Sequence, residues 1–205
     1  MIKLGVNLDH VATLRQQRHT QYPSMLDAVK IVEENGADSI TMHLREDRRH
    51  IQYEDVELAR KNIKTLLNLE MAPTEKMCDI AVRIKPDYVC LVPEKREELT
   101  TEGGLDIKNN NSKIRSMIDS LKNNSIVVSL FIEPDIQTID IAKSIGTDAI
   151  EIHTGRYAEN YDAEKLKVHG GILRVFVSLK KKKFSKKFKK IISKENDKNI
   201  INKNI

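Results

Sequence analysis

Residues 38–50 read DSITMHLREDRRH, and the placement of polar groups in this stretch decides the fold. Asp38–Leu44 reads as a strand, with polar and apolar side chains alternating from Ser39 onward. His43 falls near the end of that strand, and the charged run from Arg45 to His50 follows as a loop. The same arrangement recurs along the chain. Ile2–Leu8 reads as a strand carrying Asn7, with Asp9 and His10 just beyond. Leu67–Met71 carries Glu70 near its end, and Asp148–Thr154 carries Glu151 and His153. Asp87–Val92 and Ser125–Phe131 read as two further strands.

Helical patterns separate these strands. Met25–Asn35 places Ala28, Ile31 and Val32 on one face and is stopped by Gly36. Tyr53–Leu66, Ala72–Ile84 (ended by Pro86), Asn111–Leu121 and Pro134–Ile145 follow. Six β/α repeats predict a parallel sheet covered by helices. Periodicity does not choose between an open doubly wound sheet and a closed barrel. The polar groups tilt the reading, because a single mouth ringed by residues from many strand ends is how barrel enzymes build their sites. The expected fold is therefore α/β, a TIM-type (β/α)8 barrel, incomplete at about six β/α units with Gly171–Leu179 as a candidate seventh strand.

Composition supports one globular body. Of 205 residues, 40% are apolar and 32% charged, which argues against a disordered chain. No apolar run approaches the ~20 residues that span a bilayer, and residues 1–10 lack a signal-peptide pattern, so a cytoplasmic protein is expected. Cys78 and Cys90 form no metal-ligand pattern and read as small apolar fillers. The net charge of +5 is unevenly spread. Residues 179–205 hold eleven lysines against Glu195 and Asp197, a balance of +9, and the remaining 24 basic and 28 acidic residues leave the body at −4. One domain and a tail are expected on this basis, a partial barrel over 1–178 and a lysine-rich tail over 179–205 that is disordered or irregularly helical. A basic tail is usually a solvated segment; binding to nucleic acid or an anionic membrane is the alternative reading, and Phe184 and Phe188 are thin support for it.

Two readings fit the loop Arg45–His50: a solvated charged run, or guanidinium groups that clamp phosphate beside an imidazole that moves protons. Glu70, set among apolar residues in LNLEMA, is desolvated and suited to general base work, with a buried ion pair to an arginine as the alternative. Glu151 and His153 alternate along their strand and point to one face. If that face is the barrel interior, they join Glu70 and His43 around one cavity. Arg18 falls one loop beyond the first strand. Gly103 and Gly104, preceded by Thr100 and Thr101, offer a weak signal for backbone contact with phosphate. No pair of histidines shares a helix face and neither GxGxxG nor GxxxxGK[ST] occurs, so no metal and no nucleotide cofactor is expected.

Six collinear blocks, GVNLDHVATLRQQR, HLREDRRHI, NLEMA, LVPEKREELTTEGGLDI, VSLFIEPD and IEIHTGRYA, span residues 1–162 and closely resemble the pyridoxine 5′-phosphate synthase family. The resemblance implies a homo-octameric (β/α)8 barrel of the cytoplasm. It also implies a ring-forming transferase of vitamin B6 biosynthesis, needing neither metal nor organic cofactor. Such an enzyme condenses two small phosphorylated substrates, 1-deoxy-D-xylulose 5-phosphate and 3-amino-2-oxopropyl phosphate. His43 and Glu70 would be acid/base catalysts, and Glu151 would stabilise developing charge. Asn7 and Arg18 would contact the amino-ketone phosphate. Asp9, His10, Arg45, His50 and Thr100 would hold the pentulose phosphate. The family's seventh and eighth strands, with their Gly-His turns, have no clear counterpart, so the C-terminal part is expected to be missing or replaced. His169-Gly170-Gly171 is only faintly similar to the first of those turns. Strands one and six are then expected to be open edges.

Overall fold

Six strands, β1 (Gly5–Asn7), β2 (Ser39–His43), β3 (Leu66–Met71), β4 (Tyr88–Leu91), β5 (Val127–Ile132) and β6 (Ala149–Ile152), lie side by side in chain order. Each pairs in parallel with the next. This computed structural model describes residues 3–94, 103–154 and 176–178. Unbroken sequential order decides between the two closures, because a doubly wound sheet reverses its strand order at a switch point and a barrel wall does not. Among the described residues the wall curls as an incomplete TIM-type barrel. β7 (Phe176–Ser178) falls within the stretch expected for a seventh strand, but it runs antiparallel to β6. It pairs with Ala149–Glu151, so β6 is not the open edge anticipated from the sequence. Residues 179–205, with the proposed tail, and His169 lie outside the described residues.

Side-chain alternation sorts the sheet into two faces. Outward-facing Ile40, Met42, Leu67, Leu69, Met71, Val89, Leu91, Val128, Leu130 and Ile150 are fully buried beneath the helices and form the main core. Inward-facing positions carry Asn7, Thr41, His43, Asn68, Glu70, Cys90, Ser129, Phe131 and Glu151, and a second, small apolar cluster of Cys90, Val92 and Phe131. Parallel strands are commonly apolar on both faces. Here the inner face carries polar and charged groups instead.

The helices α2 (Met25–Glu34), α3 (Tyr53–Asn62), α4 (Glu75–Ile84), α5 (Asn111–Asn123) and α6 (Ile136–Ser144) match the expected ones to within a few residues at most ends. α3 stops four residues early because the Glu33 carboxylate accepts hydrogen bonds from the Lys64 and Thr65 N–H groups and pulls the connection onto the end of α2. α4 starts at its Thr74 cap, whose hydroxyl accepts from Met77 N–H, and ends at Lys85 in the left-handed conformation. α1 (Asp9–Gln17) occupies what the sequence suggested was loop. It buries only Ala12, leaves Leu14 exposed, and is tied down instead by a bidentate ion pair from Arg15 to Asp55 on α3.

Candidate active site

At the C-terminal ends of β1, β2 and β3 the polar groups form one connected cluster. β1 gives way to α1 at Leu8, and the Asp9 carboxylate then takes over the ladder's role, accepting the His43 N–H at 2.7 Å. Asn7 fixes that carboxylate, donating through Nδ2 at 2.9 Å and accepting from the Asp9 N–H at 2.8 Å. His43 and Glu70 are register partners, both about 5% exposed, and His43 Nδ1 stands 4.0 Å from Glu70 Oε2. On its other side, His43 Nε2 lies 2.9 Å from Glu94 Oε1. Glu94 had no assigned role in the sequence reading. The signal available was its position three residues past the end of β4, in the loop that follows a strand end as the Arg45–His50 loop follows β2. Burial pushes the Glu94 carboxyl up, but the His43 contact and the Glu46 N–H at 3.0 Å outweigh it and hold it below the usual carboxylate range.

His50 completes the cluster, its ring 5.8 Å from that of His43. Its Nδ1 accepts the Ile51 N–H at 2.8 Å, which leaves the proton on Nε2. Desolvation depresses its pKa, with His43 and Arg45 adding to the effect and Asp9 opposing it. Asp9, His43 and His50 bring potential metal-ligand atoms within 4.8 Å of one another. The Asp9 carboxylate is held by the His43 N–H and Asn7, His43 Nε2 by Glu94, and His50 Nδ1 by the Ile51 N–H.

The Arg45–His50 loop is neither a solvated run nor an open clamp. Arg45, 4% exposed, donates twice to Asp47 at 3.1 Å, and Arg49 donates to the same carboxylate at 2.7 Å. These bonds outweigh desolvation and hold the Asp47 carboxyl well below its ordinary value. Arg48, at positive φ, donates to Arg45 O at 2.6 Å, and Gln52 braces the turn through Arg48 O and His50 O. Arg45 is thus presented rigidly, with its charge already shared.

Glu151 lies on the same inner face, buried, with Cys90 Sγ 3.8 Å from its Oε2; Cys90 is in turn the register partner of Glu70. His153 instead pairs with Glu133 at 2.9 Å and sets its ring edge-on to Phe131. Glu133 also accepts the Gly104 N–H at 2.9 Å, so that amide is committed to the end of β5 rather than offered to phosphate. His10, in the first turn of α1, is exposed, and so is Arg18 at the helix's C-cap. The nine-residue helix carries Arg18 about 13 Å along its axis from Asp9. A helix, not a loop, sets that distance. Thr100 lies outside the described residues. Cys78 and Cys90 are both buried and reduced.

Parallel strands in chain order, with titratable side chains converging where they end, define the class: a TIM-type barrel enzyme. The chain belongs to the family described as pyridoxal phosphate biosynthesis protein PdxJ, whose model matches residues 4–181. A pyridoxine 5′-phosphate synthase of Thioalkalivibrio sulfidiphilus is 56% identical over 157 residues, 77% of this chain and 64% of that protein. Those of a Synechococcus species and of Wolbachia sp. subsp. Drosophila simulans are 55% and 56% identical, covering 82% of this chain and 70% and 72% of theirs. Among solved structures, an L-ribulose 3-epimerase aligns at a TM-score of 0.49 with 11% identity, over 79% of this chain and 64% of that one. No helix among the described residues is long and apolar enough to cross a membrane.

Proposed function

We propose that this chain is a pyridoxine 5′-phosphate synthase, condensing 1-deoxy-D-xylulose 5-phosphate with 3-amino-2-oxopropyl phosphate to give pyridoxine 5′-phosphate, phosphate and water. The observation that carries the reading is the pairing of His43 with Glu70 across 4.0 Å on a buried inner face that also holds Glu151. Forming the ring requires an amine to add to a ketone, water and phosphate to leave, and carbons to lose protons. Each step moves a proton, and a desolvated cavity with several titratable groups meets that need.

In this reading His43 and Glu70 take and return protons, and Glu151 stabilises positive charge that develops during closure. Asp9, His10, His50, Arg45 and Thr100 hold the pentulose phosphate, and Asn7 and Arg18 the amino-ketone phosphate. Arg45 supplies fixed charge without titrating. The protein works as a homo-oligomer in the cytoplasm, with a barrel body over 1–178 and a basic tail after it. The test is phosphate release by the full chain. Release that requires both substrates together supports the reading. Saturable binding of 1-deoxy-D-xylulose 5-phosphate with no release on adding the amino-ketone marks an inactive synthase and overturns it.

A further inference from the structure

We propose that Glu94 is a positioning residue for His43, holding the imidazole in the tautomer that presents an unprotonated Nδ1 toward Glu70. This inference deepens the synthase reading and, for its kinetic arm, rests on it. Glu94 is immobilised at both carboxylate oxygens: Oε2 accepts the Glu46 N–H at 3.0 Å, and Oε1 meets His43 Nε2 at 2.9 Å. The Glu94 and His43 side chains are each 7% exposed, so water does not compete strongly for either. A carboxylate so placed has no proton to give. The hydrogen in the contact must belong to Nε2, and a neutral ring then carries its lone pair on Nδ1. Nδ1 is the atom that faces Glu70, at 4.0 Å. A third constraint comes from the backbone, where Asp9 fixes the His43 N–H and hence the root of the side chain. Carboxylate, imidazole and second carboxylate therefore lie in series. Glu94 orients, His43 exchanges the proton at Nδ1, and Glu70 faces it. A purely structural role would need only the charge balance between Glu94 and Arg45, and would not select which ring nitrogen is protonated.

The experiment uses the full chain with 15N-labelled histidine. The His43 ring signals are assigned by their loss in H43Q. Once the pH of the unsubstituted protein is raised until the ring shifts stop moving, so that the ring is neutral, Nε2 is expected at a protonated shift and Nδ1 at an unprotonated one. With the assignment made in folded H43Q, the opposite tautomer overturns the proposal without E94A or E94D having to fold. E94A is expected to mix the two tautomers and E94D to mix them less. Turnover of E94A should fall about 100-fold, E94D should recover part of it, and KM should move by no more than about three-fold. Unchanged turnover in E94A, or a loss confined to KM, sinks the idea. If the unsubstituted chain releases no phosphate, the synthase reading fails on its own, and the tautomer pattern still decides the role of Glu94.

Discussion

His43 and Glu70 are direct neighbours across β2 and β3, yet Nδ1 and Oε2 stop 4.0 Å apart. That is beyond hydrogen-bonding distance, and an oxygen ~2.8 Å from each fits beside the gap. In the proposed reaction the two groups would act on one substrate atom placed between them. E70Q and H43Q should each lower phosphate release by about 10²–10⁴-fold. The double variant should lose much less than the product of the two, because groups acting as a unit are not additive. Circular dichroism should show both single variants folded. Additive losses would separate the two residues mechanistically.

Gly104 makes a closer approach than any side chain permits. A Cβ there would lie 2.2 Å from Glu133 N and 2.6 Å from Ile132 C, backbone atoms at the end of a central strand that cannot yield cheaply. Gly146 differs: its φ is +86°, and nothing lies within 4 Å of a Cβ. G146A should therefore cost only the left-handed penalty, about 1 kcal/mol. G104A should cost about 3 kcal/mol and loosen the Glu133–His153 pair. Urea unfolding of the two variants side by side checks the difference; equal costs would mean the segment at Gly104 can simply lift away.

Much of this architecture was legible because the barrel's inner face is polar. Thr41 and His43, Asn68 and Glu70, and Glu151 interrupt apolar runs at every second position, which marked the strands and the face that matters. The amphipathic helices α2, α4 and α5 announced themselves in the same way. α1 did not, since it buries one alanine and is held by Arg15 reaching a carboxylate 40 residues away, a contact no local pattern contains. Arg45 was readable as a charge at the site. Its capture by Asp47 depends on a turn that Arg48 closes at positive φ, a conformation the charged run does not advertise. Glu94 was hidden for a related reason. Its partner lies 51 residues earlier, and after β4 it reads as one acid among several.

Arg15 and Asp55 meet through two bonds of 2.6 Å, with side chains 12% and 10% exposed. The hydrogen bond to Asp55 raises the arginine's pKa against the effect of desolvation, so the pair stays ionised. Removing one partner strands a largely buried charge. R15A should destabilise the fold by about 3 kcal/mol. D55A should cost about 1 kcal/mol more, because Asp55 also accepts the Gln52 N–H in the capping box that starts α3. R15M combined with D55L should recover part of the pair's loss but not the cap's. Urea midpoints of the three variants test the order, and R15A matching the parent chain would show the pair contributes nothing.

Acid should weaken this protein in two separable stages. His50 is the first. Burial, followed by the charges of His43 and Arg45, places its folded pKa below the ordinary value of about 6.5. Between those two values the unfolded chain binds more protons than the folded one, so stability rises with pH and falls as pH drops below about 6.5. Protonating His50 at Nδ1 also removes its bond from Ile51 N–H. Glu94 is the second. Its folded pKa is depressed, so its contribution is complete above about 4.3 and is lost as pH falls from there toward the folded value. Both slopes have the same sign, and Glu94 shares the acidic one with Asp47, Glu33 and Asp135, whose carboxyls are also held below their ordinary values, so removing it takes away only its own part. H50Q should flatten the loss just below about pH 6.5 while leaving the acidic stage in place, and E94Q should do the reverse. Urea midpoints followed from neutral pH to about pH 3.5 make the comparison, with the difference between variant and parent isolating each group from the exposed histidines and carboxylates. An H50Q profile parallel to the parent's throughout would mean that His50 ionises in the folded protein as easily as in the unfolded chain. The packing of its ring between His43 and the Ile51 amide would then have no thermodynamic weight.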